Sequence, residues 1–320
     1  MRLFATVVVS ALVLTQSQTA WSAERRTLVV AAGEVTGYYY PAAGALCRVL
    51  NKERPMGATC AAFPSSGSAA NVAALRSGDV DLAILQSRAA TLALAGDEGF
   101  KEQGPFADLR AVMSLHGEQV VVLARQGSNI KDLADLKGKR VNLGRPGSFQ
   151  RSMADTVLEA AGLSEGDLAP VVELDLGDQT PQLCEGNIDA AFYTGIHPME
   201  EVATALEECE AQAVPIKART IDAYIKRNPW LSHAVVKGGT YAEMKADLPV
   251  LSLKAVLATT TRLPADQVQA ILKAVHANFG AFTRLHPVLN GLSKAETARD
   301  GISIKLHEGA EKFYGETGLR

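Results

Sequence analysis

Residues 75–87 read LRSGDVDLAILQS, and residues 183–195 read LCEGNIDAAFYTG. The two segments share the pattern Leu-x-x-Gly-[Asp/Asn]-[Val/Ile]-Asp-x-Ala and start 108 residues apart (183 minus 75). Each predicts the end of a helix, a tight turn and then a strand. We therefore expect two α/β units built on one plan, although such turns are common and coincidence is the alternative.

Strand-like and helix-like segments alternate over the rest of the chain. Residues 27–33 and 58–63 have the β-rich composition of strands, whereas residues 148–162 and 264–285 have the apolar spacing of amphipathic helices. Further strand candidates are residues 80–86, 120–125, 139–144, 171–177, 189–195 and 254–261. This alternation is typical of α/β layers with mostly parallel strands, so we expect two lobes that face each other across a cleft.

The composition excludes several classes of protein. Of the 320 residues, 47% are hydrophobic and 21% are charged, which provides for a sizeable core and excludes a disordered or fibrous chain. The formal net charge is −3, without a long run of like charge, so nothing indicates a nucleic-acid partner.

The N-terminus has the features of a secretory signal peptide. Arg2 precedes an apolar run at residues 3–14, and polar and small residues follow it. Such a run is too short to cross a bilayer, which needs ~20 apolar residues. We expect residues 1–23 to be removed by cleavage after Ser22 or Ala23 and the mature protein to be periplasmic. A buried N-terminal helix or a membrane anchor is the alternative.

Export bears on the four cysteines, because an even number of them in an oxidising compartment indicates disulfides. Three connectivities are possible, and proximity in the sequence favours Cys47–Cys60 and Cys184–Cys209. A metal site is not indicated, since there is no Cys-x-x-Cys pair and the six histidines are scattered.

Candidate binding loops follow the predicted strands, because ligands of open α/β sheets gather at the carboxyl ends of strands, near helix N-termini. The loops read EVTGYYYP (34–41), PSSGSAAN (64–71), QSRAA (86–90), RPGSFQRS (145–152) and YTGIHP (193–198). Their hydroxyl, amide, guanidinium and backbone N–H groups suit a small anion such as a carboxylate. The candidates taken from these loops include Gly37, Tyr38, Tyr39, Ser65, Ser66, Ser68, Arg88, Arg145 and His197.

The three adjacent tyrosines have two interpretations. On an extended loop Tyr38 and Tyr40 would face one way and Tyr39 the other, with at least one hydroxyl in the cleft. Alternatively, the rings anchor the loop to the core.

The other polar candidates also have structural alternatives. The serines could serve only as helix caps, although RPGSFQRS repeats the serine-rich helix start of the first half. Arg88 and Arg145 could pair with a carboxylate or lie on the solvated surface, and His197 could merely shape a turn.

No enzyme motif stands out. Nothing matches a G-x-S-x-G nucleophile elbow, a Walker loop, an H-E-x-x-H zinc site or a dinucleotide fingerprint. Acidic residues fall mostly on predicted helix surfaces, with no evident catalytic pair. We therefore expect a binding protein without catalysis, cofactor or metal.

Six segments spread over the mature chain match a known family in the right order. They are VTGYYYPAAGALCRVLNK, SSGSAANVAALRSGDVDLAILQS, IKDLADLKGKRVNLGRPGSFQRS, LCEGNIDAAFYTGIHP, VVKGGTY and LHEGAEKFYGETGL. The chain thus resembles the TAXI-type solute receptors of tripartite ATP-independent periplasmic (TRAP) transporters. The resemblance implies a type II-like, two-lobed periplasmic binding protein with hinge strands, divided into residues 24–116 with 217–320 and residues 117–216.

The resemblance also implies a function and a set of ligand contacts. Such receptors bind a small organic anion, in several members glutamate or a dicarboxylate, and deliver it to a sodium-driven membrane permease. The family's binding loops carry over to Thr36, Tyr39, Ser65, Gly67, Ser68, Gln86, Ser87, Gly147, Ser148, Gln150 and Tyr193. Cysteines at similar positions in the family support the two disulfides.

Some positions depart from the family pattern. Arg88 stands where aspartate is frequent, Arg145 where a small or amide residue is usual, and Phe149 where glycine is common. These departures favour a larger or more anionic acid than glutamate. Two other functions fit the same pattern: a binding protein of an ABC transporter or a sensor kinase, and a periplasmic enzyme on this fold.

Overall fold

The computed structural model describes residues 27–35, 37–146, 148–217 and 219–320, so the predicted signal peptide lies outside the described residues. The strands are β1 (Thr27–Ala31), β2 (Thr59–Phe63), β3 (Leu82–Gln86), β4 (Leu109–Ala124), β5 (Val141–Asn142), β6 (Ala190–Gly195), β7 (Gln212–Val214), β8 (Leu231–Val236) and β9 (Leu248–Thr260). The α-helices are α1 (Tyr39–Glu53), α2 (Ser68–Ser77), α3 (Ser87–Ala95), α4 (Phe149–Ala161), α5 (Leu176–Cys184), α6 (Glu200–Glu208), α7 (Arg219–Arg227), α8 (Ala265–Ala277), α9 (Phe279–Phe282), α10 (Lys294–Arg299) and α11 (Glu308–Thr317). None of these helices is long and apolar enough to cross a lipid bilayer.

The strands form one mixed sheet in the order β2-β1-β3-β9-β4-β6-β5, with β7 attached to β4 and β8 to β9. The pairs β1–β2, β1–β3 and β5–β6 are parallel. The pairs that include β4 or β9 are antiparallel. The α/β prediction is confirmed, and antiparallel pairing is more frequent than expected because two long strands run through both halves of the sheet.

The strands β4 and β9 join the two halves. Their paired residues extend from Leu109 opposite Thr260 to Val120 opposite Leu251, with a register shift between Ser114 and Gly117. On one side of this shift β9 pairs with β3, and on the other side β4 pairs with β6 and β9 with β8. The two crossings therefore form the connection about which two such halves can move.

Three groups of buried side chains make up the core. The first packs β1 and β3 against α1 and α8, and includes Leu28, Leu82 and Leu272. The other two lie on opposite faces of the second half of the sheet, because successive side chains of a strand alternate. On β4, Val120 belongs to the second group and Val121 to the third.

The core packing bears on where each lobe ends. Trp230 is buried in the second group and Val236 in the third, so β8 packs with the second half of the sheet. We therefore propose that residues 219–253 belong to the second lobe and that the chain returns to the first near Lys254. This proposal moves the predicted boundary at residue 216 to near residue 253. The predicted boundary at residue 116 stays a prediction.

The aspartates of the repeated segment make matching contacts in both halves. Asp81 accepts a hydrogen bond from the backbone N–H of Val29 at 3.0 Å, and Asp189 accepts one from Arg140 at 3.0 Å. In the first half the aspartate before β3 thus binds the parallel neighbour β1. In the second half the aspartate before β6 binds the residue just before the parallel neighbour β5.

A second matching contact lies in the helix before each turn. Asn71 donates to the backbone carbonyl of Ile84 at 2.8 Å, and Gln179 donates to that of Phe192 at 3.1 Å. Both donor and acceptor positions are separated by 108 residues (179 minus 71, and 192 minus 84). The two copies therefore occupy equivalent places in the fold, which argues against coincidence.

Both predicted disulfides are confirmed. Cys47 of α1 bonds to Cys60 of β2, with Cα atoms 4.9 Å apart. Cys184 of α5 bonds to Cys209, which follows α6, with Cα atoms 5.0 Å apart. Each bridge closes a short loop within one half of the molecule.

Residues 171–177, predicted as a strand, do not form one. Val172 makes only an isolated bridge with Asn142, and α5 begins at Leu176. The Asn142 Oδ1 atom accepts the backbone N–H of Leu174 at 2.8 Å. At this residue a side chain therefore accepts the backbone hydrogen bond that a neighbouring strand would accept in a sheet.

The backbone is not extended through the three tyrosines, because α1 begins at Tyr39. Gly33 permits this tight start: a Cβ atom added to it would lie 3.2 Å from Cβ of Tyr39. Tyr40 packs partly buried against the first core group, whereas Tyr38 is 41% exposed. One ring therefore anchors the loop while another stays available.

Candidate functional site

The helix starts lie where the sequence predicts them, after the strands of both halves. α1, α2 and α3 follow the loops after β1, β2 and β3, and α4 follows the loop after β5. Their first N–H groups lack partners within the helix, so the carboxyl ends of the strands in each half are rich in hydrogen-bond donors.

Four polar side chains form a cluster at the crossing of the halves: Tyr39, Ser68, Gln86 and Glu118, hereafter the crossing cluster. The Tyr39 hydroxyl hydrogen bonds with Glu118 and Ser68. Gln86 donates from Nε2 to Glu118 at 3.3 Å, and Ser68 accepts the backbone N–H of Gln86 at 3.0 Å. Burial raises the pKa of Glu118 to about 6, although the hydrogen bonds from Gln86 and Tyr39 oppose this shift.

A cavity of about 1000 Å³ lies beside this cluster, between residues of the two halves. Four of the six histidines line it, so imidazole is its main polar group. Its polar lining includes Tyr38, His116, Gln119, His197, Ser252 and Lys254. No group of His, Cys, Asp or Glu side chains in the described residues is arranged to hold a metal ion.

His116 is the most enclosed polar side chain of this cavity that has no hydrogen bond. It is 4% exposed, and neither ring nitrogen has a hydrogen-bond partner among the described residues, although Nε2 lies 3.8 Å from Oε1 of Glu118. Burial, together with the charges of Lys254 and His286, lowers the pKa of His116 to about 3. The ring is therefore neutral at ordinary pH and offers one donor and one acceptor.

His197 reaches the cavity from the second half. Its Nδ1 atom lies 2.5 Å from the hydroxyl of Tyr241, which also accepts the backbone N–H of Met199 at 2.8 Å. The Nε2 atom is buried without a partner among the described residues. Burial lowers the pKa of His197 to about 4, so this ring is neutral as well.

Tyr38 reaches the same cavity from the first half. A Cβ atom added to Gly195, at the end of β6, would lie 3.4 Å from the Tyr38 hydroxyl. The ring centroid of Tyr38 is 6.4 Å from that of His116. Of the predicted ligand residues that the structure describes, Tyr38 and His197 are the two that line this cavity.

Ser87 and Tyr193 lie inside the protein, each fully buried. Ser87 donates to the backbone carbonyl of Trp230 at 2.7 Å. The Tyr193 hydroxyl pairs with Thr180 at 3.0 Å, and burial raises its pKa to about 12. Neither side chain lines the cavity, and their predicted contact with a ligand stays a prediction.

Ser65 and Gln150 each bond to a helix of their own half. Ser65 donates to Asn71 at 2.6 Å, and Gln150 donates to Gln179 at 2.8 Å. Asn71 and Gln179 are the equivalent side chains described above, so each loop is tied to the helix of its own half.

Three other predicted residues have no contact among the described residues that points to a ligand. Ser66 is exposed, Gly67 has a φ of 108° before α2, and the Gly37 N–H donates to Glu34 at 2.9 Å. Thr36 and Gly147 lie outside the described residues.

The two arginines already have carboxylate partners. Arg88 pairs with Glu98 at 2.7 Å and donates to Ser152 of the second half at 3.3 Å. Arg145 pairs with Asp175 at 2.8 Å, with both side chains more than half exposed.

The remaining positions of the RPGS loop have structural contacts. Ser148 caps α4 by accepting the N–H of Arg151 at 3.0 Å. Phe149 packs against the second core group. This ring therefore covers the core of its own half, whereas the sequence places it near the cleft.

Three residues at or near the cavity were not predicted from the sequence: His116, Glu118 and Tyr241. The first two lie on β4, of which only residues 120–125 were predicted as strand, because the polar run His-Gly-Glu-Gln at 116–119 interrupts the apolar pattern. Buried polar residues inside a strand that joins two lobes are the available signal for both. Tyr241 ends the family-like segment VVKGGTY, but nothing in that segment predicts a contact with His197.

The family model described as NMT1-like family matches residues 30–318. Over 89 residues the chain is 39% identical to a Haemophilus influenzae protein named “Putative thiamine biosynthesis protein”. That match covers 28% of this chain and 26% of the other protein, so the chain spans only about a quarter of the length of this curated relative.

Two solved structures have a similar fold. A TctC solute-binding protein from Polaromonas is 14% identical, with a TM-score of 0.56 over 84% of this chain and 88% of that chain. The periplasmic sulfonate-binding protein SsuA from Methylobacillus flagellatus is 14% identical, with a TM-score of 0.52 over 92% of this chain and 88% of that chain. The chain thus has the α/β fold of periplasmic solute-binding proteins.

Proposed function

The chain belongs to the NMT1-like family, and we propose that it is the periplasmic solute receptor of a TAXI-type TRAP transporter. In this role it captures a small organic anion between its lobes and delivers it to a sodium-driven membrane permease. It returns its ligand chemically unchanged and therefore performs no catalysis.

The observation that carries this proposal is the meeting of Tyr38 and His197 at one cavity. Tyr38 precedes α1 of the first half, and His197 follows β6 of the second half. A ligand bound to both side chains would favour the closed arrangement, since only a difference in affinity between two states can shift their populations. The strands β4 and β9 supply the hinge for such a movement.

The chemistry of the loops favours an anion such as a glutamate-like amino acid or a dicarboxylate. Helix starts of both halves, including Ser68 and Ser148, follow the carboxyl ends of strands in their own half. The free N–H groups there and the neutral donors of the cavity can hold carboxylate oxygens. We propose that the predicted loop residues, Thr36 and Gly147 included, contribute to this contact.

The test is a thermal-shift screen of the ligand-free protein against amino acids, oxo acids, hydroxy acids and dicarboxylates. A true ligand at 100 times its Kd should stabilise the protein by about 2.7 kcal/mol. Small-angle scattering should then detect a smaller radius of gyration, and mass spectrometry should recover the ligand unchanged. A protein that no acid stabilises, or one that converts its ligand, would contradict the proposal.

The membrane partner needs a separate test, because the same fold serves other systems. Genes for a multi-spanning TRAP permease next to this gene would support the proposal. Sodium-dependent uptake by proteoliposomes that contain the permease, only in the presence of the receptor, is the direct measurement. Uptake driven by ATP, or a neighbouring sensor kinase in place of a permease, would indicate the other systems.

A further inference from the structure

The charged residues around the cavity are balanced and already engaged. Lys254 lies 3.5 Å from Glu296 and 3.8 Å from Asp300, and Lys237 lies 2.7 Å from Asp247. A ligand with two carboxylates would therefore find no unpaired cation for the second one among the described lining residues. It would instead meet the carboxylates of Glu296 and Asp300, which repel a like charge.

The hydrogen bonds around Tyr241 favour one tautomer of His197. The Tyr241 oxygen accepts from the N–H of Met199, so its own hydrogen is free for the nearby Nδ1 atom of His197. Nδ1 is then an acceptor, and in the neutral ring the hydrogen resides on Nε2. Nε2 is the buried atom without a partner, so the second half presents a donor that needs an acceptor.

The first half presents a second donor at the same place. Tyr38 lines the cavity together with His197, and its hydroxyl reaches the end of β6 beside Gly195. Two neutral donors from opposite halves match the two oxygens of one carboxylate. The cavity wall also has apolar side chains, among them Leu115, Ile196, Val288 and Leu292, besides its polar and charged ones. His116 lines the same cavity, and neither of its ring nitrogens has a hydrogen-bond partner among the described residues.

We propose that this cavity binds a monocarboxylate whose carboxylate accepts hydrogen bonds from Tyr38 and His197. The rest of the ligand is uncharged, lies along the apolar side chains of the wall and carries one hydroxyl or carbonyl group for His116. Tyr241 is a positioning residue, which acts on the ligand through the tautomer of His197. This inference rests on the proposed receptor function but replaces the glutamate-like acid or dicarboxylate with a hydroxy or oxo acid whose tail is uncharged.

The ligand class can be tested with three probes of equal chain length: hexanoate, 6-hydroxyhexanoate and adipate. Calorimetry should give 6-hydroxyhexanoate the highest affinity and adipate an affinity lower than that of hexanoate by about tenfold or more. Tighter binding of adipate would overturn the inference and leave the receptor function intact. Binding of none of the three, while another acid stabilises the protein, would do the same. If no acid at all binds, the receptor function fails as well.

The positioning role can be tested with Tyr241→Phe and a matched control, Tyr224→Phe. Tyr224 lies in the same half and hydrogen bonds Glu159, away from the cavity lining. Nitrogen-15 NMR of histidine-labelled protein, with the His197 signal assigned from His197→Gln, reports the tautomer. In Tyr241→Phe we expect a loss of the Nε2–H form and an affinity for 6-hydroxyhexanoate about tenfold lower.

Tyr224→Phe should leave both readouts unchanged. A Tyr241→Phe protein that melts earlier but keeps the tautomer and the affinity would assign Tyr241 a merely structural role and overturn this part of the inference. The tautomer is measured without ligand, so this result is independent of the probe chosen. Tyr38→Phe should weaken binding without a change in the His197 spectrum; an unchanged affinity would remove Tyr38 from the site.

Discussion

The hydroxyl of Ser87 donates a hydrogen bond to the backbone carbonyl of Trp230 at 2.7 Å and so joins the start of α3 to the residue before β8. The same oxygen accepts the backbone N–H of Lys254 at 3.2 Å. A single buried side chain thus connects the two halves at β9, the second of the two strands that join them.

Ser87→Ala should therefore lower stability. The variant leaves the Trp230 carbonyl and the Lys254 N–H without this partner, which should reduce the free energy of unfolding by about 1–3 kcal/mol. Urea denaturation measures the loss. Ser66→Ala, at an exposed serine of the neighbouring loop, is the control and should have no effect. Equal stability of the two variants would show that the Ser87 contacts contribute nothing.

Glu118→Gln should stabilise the protein at neutral pH. The pKa of Glu118 is raised from 4.5 to about 6 in the folded state, so between these values the folded protein holds a proton that the unfolded chain has released. Stability therefore falls as pH rises through this window, and above it the cost stays constant. Removing the charge should recover about 2 kcal/mol at neutral pH.

The pH dependence is the check on this interpretation. The gain of Glu118→Gln should disappear below the unfolded-state value, where both states of the wild type are protonated. Thermal melts in a series of buffers measure the difference between variant and wild type. A gain that is the same at every pH would indicate a packing effect rather than the buried charge.

Arg145→Ala should leave stability nearly unchanged. The Arg145 and Asp175 side chains are 62% and 52% exposed, and exposed ion pairs contribute less than about 1 kcal/mol. Its predicted ligand contact is tested separately by the affinity of this variant for the solute that the screen identifies. A direct contact would appear as a loss of about 1–3 kcal/mol in binding, whereas an unchanged affinity would make Arg145 a surface residue.

Each disulfide should stabilise the protein by restricting the unfolded chain. The bridges span 13 and 25 residues, and loops of this size correspond to about 3 kcal/mol each. Cys47→Ala with Cys60→Ala, and Cys184→Ala with Cys209→Ala, should each lower the midpoint of urea denaturation. Because the bridges lie in different halves, their losses should add; strong non-additivity would contradict independent action.

Local features of the fold could be predicted because their causes are local. Gly78 and Gly186 have positive φ values of 86° and 77°, as the repeated Gly-[Asp/Asn] turn requires, and the buried strands β3 and β6 follow them. The polar residues 116–119 interrupt the apolar pattern, so the first part of β4 was not predicted. This part is a strand because it pairs with β9, which is far away in the sequence.

The candidate site was predictable only as a set of loops. Ser65, Ser87, Gln150 and Tyr193 stand in those loops, yet each has a partner inside the protein. His116 was not predicted because it lies within a strand, although both of its ring nitrogens lack a hydrogen-bond partner among the described residues. A loop sequence states which chemical groups are present but not which of them a neighbouring segment already uses.

The sequence by itself determined the repeated α/β unit, the helix starts and the pairing of nearby cysteines, because turn chemistry and short chain separations govern them. Only the tertiary structure decided that Tyr38, His116 and His197 line one cavity. These side chains come from segments far apart in the chain. Their distances depend on how β4 and β9 cross between the halves, which no local pattern specifies.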